Sequence, residues 1–299
     1  MQKFYNKIIY CWSCDYSSKT GEGNLARLFI SKKIKYKKIF YPQIFFKKNS
    51  LLNYKYFTPF FGIILCWYYF FQNKKVAYIN YLPLWNFLIF FLLPPRTIIG
   101  PITGGSHFSK NSNFLIRKYF FPVFYKISEL IILLRYENPI FSTMLLKKYL
   151  NRKIIKKSSF DFIFNYINIK SKKAKNLDVL IYYKNHSNKK KLTNYELINK
   201  LLKLKLKIYC VGDKLKINGI INLNLVSNKK LNLLLSKTKF SICSEENFYS
   251  LFTLDCINNN VKIITSIKNK KSIYKYRNNF LFINSNYNDL NKKLKKYAN

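Results

Sequence analysis

Two periods alternate along the chain. Short, mostly apolar runs stand at 7–11, 76–81, 97–102, 139–143, 160–167, 178–183, 207–212, 221–225, 239–243, 261–265 and 280–283, and each reads as a buried strand. Between most of them, apolar residues recur at three- and four-residue intervals, the spacing of an amphipathic helix. Those segments are 24–32, 57–71, 84–93, 113–135, 144–152, 194–204, 231–235, 251–257 and 287–297. Strands that alternate with helices predict an α/β fold built on parallel sheet. The Ser-Lys-Lys-Ala-Lys run at 171–175 has little to bury and is read as a boundary. It divides the chain into 1–175 and 176–299. A length of 299 residues suits two domains, and 49% hydrophobic residues can fill two cores.

The densest pattern lies at 227–265. A helix marked by Leu231, Leu234 and Leu235 leads into the strand 239–243. A polar loop follows at 244–250, with Glu245, Glu246, Asn247, Phe248 and Ser250. The next helix carries Leu251, Leu254, Asp255 and Ile257, and the strand 261–265 closes the unit. In parallel sheets such a loop sits at a strand's C-terminal end, where ligands bind.

Glycine is scarce, and its placement is uneven. Five of the eight glycines fall in 21–23 and 100–105. Gly21 and Gly23 stand where the first strand meets the first helix, where bare backbone lets N–H groups approach an anion. A tight turn needs the same residues. Gly104 and Gly105 lead into Ser106 and His107, one of two histidines. His107 is a candidate for a base or a ligand contact; the alternative is an ordinary loop histidine.

The layout at 227–265 resembles the donor half of retaining, nucleotide-sugar-dependent glycosyltransferases of the GT-B fold (the group 1, or family 4-like, enzymes). Their mark is two glutamates with seven residues between them. Asp255 falls on the second position and Asn247 on the first, with Glu245 and Glu246 just before it. The second acid of the family holds both ribose hydroxyls. That role carries over to Asp255, and a shorter acceptor stands there. The family also places an arginine and, five residues on, a lysine after the first strand of the donor domain, to neutralise the pyrophosphate. Lys184 and Lys189 have that spacing, with a point charge in place of the arginine fork. Val-Gly-Asp at 211–213 ends the next strand as it often does in the family. Gly-Pro-Ile-Thr-Gly-Gly at 100–105 resembles the cleft-facing turn of many acceptor domains.

The resemblance implies two Rossmann-like domains facing across a cleft. The acceptor site would lie in 1–175 and the donor site in 176–299. It implies transfer of a sugar from a nucleotide-sugar to a glycan, lipid-linked or other cell-envelope acceptor. It also implies no cofactor and no metal, with lysines and helix N-termini stabilising the departing diphosphate. Two other readings start from different features. One is a catalytically silent binding protein of the same shape, motivated by the missing first acid and the missing arginine. The other is a membrane protein with a hydrophobic hairpin at 56–95.

Charge alters the picture less than its size suggests. The net charge is +42, which normally points to nucleic acid. Here Lys, Ile, Asn, Tyr and Phe are abundant while Arg, Ala and Gly are scarce, the usage of AT-rich DNA. Lysine is spread throughout, no arginine cluster occurs, and no base-stacking motif accompanies it. Nucleic acid is therefore not expected as a partner. Anionic substrates and an anionic membrane surface are.

Cys11-Trp-Ser-Cys14 is a C-x-x-C without a second ligand pair, and the six cysteines are read as buried thiols in a reducing compartment. No cleavable leader is evident at the N-terminus. The uncharged stretches 56–73 and 76–95 approach the ~20 residues that span a bilayer, but prolines, Gly62, Asn80 and Asn86 interrupt them. Core packing or a shallow dip into one leaflet is expected. The chain is thus placed in the cytoplasm, with peripheral contact to the inner face of the membrane.

Overall fold

The computed structural model describes residues 9–17, 21–31, 36–38, 54–80, 82–103, 119–170, 174–185, 193–244, 247–284 and 287–298. The chain divides into two compact units, Met1–Asn165 and Tyr166–Asn299.

The first unit runs β1 (Ile9–Trp12), α1 (Gly21–Ser31), β2 (Tyr36–Lys38), α2 (Tyr54–Phe71), β3 (Lys75–Tyr78), β4 (Leu82–Pro83), α3 (Phe87–Leu92), β5 (Ile98–Ile99), β6 (Ile102–Thr103), α4 (Phe121–Arg135) and α5 (Arg152–Lys157). Its main sheet has the order β2-β1-β3-β5, and every pairing is parallel. Alternation along the strands separates two cores. Trp12, Val76 and Tyr78 face the cluster that includes Ile63, Phe90 and Ile132. Cys11, Ala77 and Ile79 face Ala26 and Phe29 of α1. Lys157 closes the far end of α4, where its ammonium donates to the carbonyls of Ile132, Leu133 and Tyr136. Burial there lowers the pKa of Lys157, while the carbonyl end of a helix favours a cation.

Five expected elements of this unit take another form, the first being the strand expected at 139–143, which is reduced to isolated parallel bridges of Ile140 with Ser159 and of Phe141 with Ile102. The strand expected at 97–102 breaks in two at Gly100, whose φ of +142° and close approach to the Ile140 carbonyl allow no side chain. β5 joins the main sheet, while β6 pairs with β4. That pairing holds Leu82 and Pro83 extended, so the helix expected at 84–93 begins at Phe87. The helix expected at 144–152 is a 3-10 turn, Met144–Tyr149, followed by α5. Thr143 and Asn151 each cap their own start, with side-chain oxygens accepting from Leu145 and Ile154. The aromatic run at 160–167 is no strand. Asp161 has φ 69°, which extended chain cannot hold, and Phe162, Ile163 and Phe164 are buried in succession on a 3-10 turn. The expected helix 113–135 is described from 119 on, and its first residues lie outside the described residues.

Among the described residues, no helix is long and apolar enough to cross a membrane. Of the two stretches weighed as spans, 56–73 lies largely in α2, and 76–95 is divided among β3, β4 and α3.

The second unit runs β7 (Leu177–Tyr183), α6 (Tyr195–Lys203), β8 (Ile208–Gly212), β9 (Ile220–Asn224), α7 (Asn228–Lys237), β10 (Thr238–Ile242), α8 (Leu251–Asn258), β11 (Lys262–Ser266), β12 (Phe280–Ile283) and α9 (Tyr287–Ala298). Its sheet has the order β12-β11-β10-β7-β8-β9, parallel throughout. Val179, Ile181, Phe240 and Ile264 fill its centre, with Leu197 and Leu201 of α6 and Leu290 and Leu294 of α9 packed in the same cluster.

Segment 166–170 precedes the boundary read at 171–175, yet its hydrogen bonds go to the second unit. The N–H groups of Asn168 and Lys170 donate to the side chain and carbonyl of Asn258, at 2.6 and 2.8 Å. Asn260 donates from its amide to the Lys170 carbonyl at 2.8 Å. Asn258 is buried, and its amide also donates to the Tyr166 carbonyl. Replacing it removes both of these side-chain bonds to the segment. Asn258→Ala is expected to cost about 1–3 kcal/mol, read as a lower midpoint in urea unfolding. An unchanged midpoint would show that the segment is not held there.

Candidate functional site

The order of the second sheet contains one reversal. From β7 the chain adds β8 and β9 on one side, then returns to add β10, β11 and β12 on the other. The segments after β7 and β10 therefore start from neighbouring strands on either side of this reversal, the kind of position where open α/β sheets bind ligands. Both segments singled out in the sequence leave the sheet here. Lys184 follows β7 and is exposed; the loop 243–250 follows β10.

Backbone constraints shape this edge. Asp213, just after β8, accepts from the Asn185 N–H at 2.7 Å and donates its own N–H to the Tyr183 carbonyl at 2.9 Å. That ties the turn after β7 to the end of β8. Gly212 makes it possible: its φ is +104°, and a Cβ would lie 2.2 Å from the Tyr183 carbonyl oxygen. The Val-Gly-Asp ending thus has a local purpose, to hold the strand end beside Lys184. Lys189, its expected companion, lies outside the described residues.

The loop after β10 is closed by its own side chains. The Asn247 side-chain oxygen accepts from the Tyr249 N–H at 3.0 Å, and its carbonyl accepts from Ser250. Ser250 caps α8 by accepting from the Thr253 N–H at 3.2 Å. Phe248 and Tyr249 are fully buried. The Tyr249 hydroxyl accepts from the N–H groups of Tyr274 and Lys275, at 2.9 and 2.8 Å, and so pins the loop before β12. Phe248, named among the loop residues at 244–250, buries its ring completely. Glu245 and Glu246 lie outside the described residues.

Asp255 sits one turn into α8 and is half-buried. One of its carboxylate oxygens accepts from the Tyr166 hydroxyl at 2.8 Å. Burial is the larger influence and raises its pKa to about 6, against the lowering effects of the Tyr166 bond and the Lys170 charge. Tyr166 shifts upward too, through burial first and then the nearby carboxylate, so it remains a donor. The helix ends at the Asn run 258–260. Asn260 has φ 54°, and the Val261 N–H donates to the Cys256 carbonyl at 2.9 Å. An asparagine in the left-handed region takes the place glycine usually fills at a helix end.

In the first unit the corresponding reversal lies between β1 and β3. Gly21 opens α1 after β1. At Gly23 a Cβ would meet the Ser17 carbonyl oxygen at 2.1 Å, so the close approach there is made by the chain's own backbone. Gly104, Gly105 and His107 lie outside the described residues. Cys11 and Cys14 are both raised above the usual thiol range, chiefly by burial, which disfavours a reactive thiolate. Among the described residues no group of three metal-ligating side chains comes together.

Tyr166 and the Asn run were missed in the sequence. Tyr166 lies 89 residues from its partner Asp255, and no local period marks it. The Asn run was visible, since three asparagines before a strand read as a helix stop.

No family model matches the sequence, and no curated protein sequence matches it. Solved structures do. Anabaena Alr3699/HepE, solved in complex with UDP, aligns over 97% of this chain and 89% of its own, at 9% identity and a TM-score of 0.52. An alpha-glucosyltransferase in complex with UDP-glucose and DNA containing an abasic site covers the same shares at 10% identity and a TM-score of 0.50. A UDP-GlcNAc 2-epimerase of Methanocaldococcus jannaschii aligns over 98% and 92% at 11% identity, with a TM-score of 0.45. The two parallel α/β units and the first two alignments together give this chain a GT-B-like fold, made of two Rossmann-like domains.

Proposed function

We propose that the chain is a glycosyltransferase that takes a sugar from a nucleotide-sugar and gives it to a glycan, lipid-linked or other cell-envelope acceptor. One observation carries this. In a chain of GT-B fold, the segments that hold Lys184 and Asp255 leave strands on either side of the switch point between β7 and β10. A nucleoside diphosphate needs cations for its phosphates and a carboxylate for its ribose. In this reading Lys184 and the N-terminus of α8 stabilise the departing diphosphate, and Lys189 and the Glu245–Asn247 segment are assigned to the same donor. No metal is required. Asp255 accepts the ribose hydroxyls, and His107 with the glycine turns of the first unit serves the acceptor. The enzyme works in the cytoplasm.

A thermal-shift screen tests the donor half. UDP, GDP and ADP and their sugars are offered at 100 times the dissociation constant of any that binds. The matching nucleotide then stabilises the protein by about 2.7 kcal/mol and raises the melting temperature by about 5–10 °C. No shift with any diphosphate removes the reading.

The hold of Tyr166 on Asp255 favours a second reading, in which the site binds a nucleotide and catalyses nothing. Product analysis with the stabilising nucleotide-sugar separates the two. Turnover, as transfer or hydrolysis, supports the enzyme; binding without turnover supports the silent protein.

A further inference from the structure

We propose that the first unit docks on an anionic lipid bilayer through one apolar face, formed by α2, α3 and α4. On α2 the residues Phe60, Ile64, Tyr68 and Phe71 recur at helical spacing and are all exposed, Phe71 by 75%. On α4 and the residue that caps it the same holds for Phe120, Val123, Ile127, Leu130 and Leu134, the last exposed by 75%. Leu88 and Phe91 of α3 are exposed between them. The three helices adjoin. The Trp67 indole of α2 donates to the Leu92 carbonyl of α3 at 2.7 Å. The rings of Phe87 and Phe124 lie 5.2 Å apart, and the Arg135 guanidinium stands 5.8 Å over the Phe91 ring. Scattered exposed apolar residues are ordinary, but periodic stripes on adjoining helices mark a surface that something covers.

Charge selects the occupant. α2 and α3 contain no carboxylate. The only one on α4 is Glu129, which is buried and already bonded to the Lys126 ammonium and the Asn151 N–H. Around the face, Lys74, Arg96 and Lys126 are exposed, and Glu137 is the exposed acid that follows α4. A second copy of a chain with net charge +42 would bring like charges together. An anionic bilayer supplies apolar depth and negative headgroups in one surface. None of the three helices is long and apolar enough to span it, so the face lies in the interface.

The test is co-sedimentation of the full chain with phosphatidylcholine vesicles, with and without phosphatidylglycerol. Binding is expected to the anionic vesicles and to weaken with salt. Ile64→Glu with Leu134→Glu is expected to weaken it by at least about tenfold, since both side chains leave water on docking. Leu225→Glu, at an exposed position of the second unit, is expected to change nothing. Phe71→Ser is a milder second variant, should the double substitution fail to fold. Wild-type binding by both face variants overturns the proposal. So does a stable dimer that these variants dissociate, which would make the face a contact between copies. The proposal does not depend on sugar transfer. Nucleotide affinity measured on the same variants keeps the two apart, because loss of vesicle binding should leave it intact.

Discussion

Asp255→Asn is expected to gain stability and lose nucleotide affinity. The stability part follows from burial. The folded state raises the pKa of Asp255 from its ordinary 3.8 to about 6, so the folded protein holds a proton that the unfolded chain releases. The contribution is therefore most favourable below about pH 4 and is lost as pH rises through about 6. Over that interval the loss comes to about 1–3 kcal/mol. Asparagine presents a neutral acceptor to the Tyr166 hydroxyl and cannot ionise. The variant should thus be more stable than wild type near pH 8, with a flatter slope between about pH 4 and 6. Urea unfolding across that range measures both effects.

The affinity part runs the other way. Two charge-assisted hydrogen bonds to ribose contribute roughly 1.5–3 kcal/mol each at most. Their loss should weaken binding of the matching nucleoside diphosphate about tenfold to several-hundredfold. Asp255→Ala should do the same, while Asp255→Glu should retain affinity. In the wild type, affinity relative to the Asn variant should fall as pH drops below about 6, where the carboxylate takes up its proton. Calorimetric titration decides between a ligand group and a structural one. A variant that gains stability with undiminished affinity would mean that Asp255 serves Tyr166 alone.

Gly62→Val is expected to prevent the first unit from folding while the second retains its structure. Gly62 lies in the middle of α2, where the helix crosses the ring of Trp12 on β1. A Cβ there would sit 1.9 Å from the indole nitrogen, with two ring carbons within 2.4 Å. Trp12 is fully buried among Ile63, Cys66 and Tyr78, so the ring has nowhere to move. Overpacking typically costs 1–3 kcal/mol and occasionally more, and here the added atoms meet a locked ring, so roughly 3 kcal/mol or more is expected. Even Gly62→Ala should show much of this cost, because the clash begins at Cβ. A partial loss of the unfolding transition, with nucleotide stabilisation of the remainder, is the expected signature. A Gly62→Val protein with normal unfolding would mean that α2 and β1 do not meet at this residue.

Much of the second unit was legible in the chain itself. Each strand from β7 to β12 falls within a residue or two of an apolar run, because the central strands of a parallel sheet are covered on both faces. The helices between them show their own period, and the loop 244–250 announces a strand's end through its polarity. The first unit was less legible. Its strands β4, β5 and β6 are two residues long, too short for a period, and their pairing depends on partners that are remote in sequence. The aromatic run at 160–167 looked like a strand because local composition cannot report the left-handed turn at Asp161.

The sequence by itself determined the alternation of strands and helices, the crowding of polar groups after β10, and Asp255 as the acid of interest. The first two depend on residues within about ten positions of one another, where period and polarity act directly; Asp255 stands out through the spacing that the family resemblance supplies. Only the tertiary structure decided which strands adjoin, and so placed the loops after β7 and β10 on either side of one switch point. It also decided the state of Asp255. A carboxylate's pKa is set by the water it loses and the charges that face it, and those come from Tyr166 and Lys170, far along the chain.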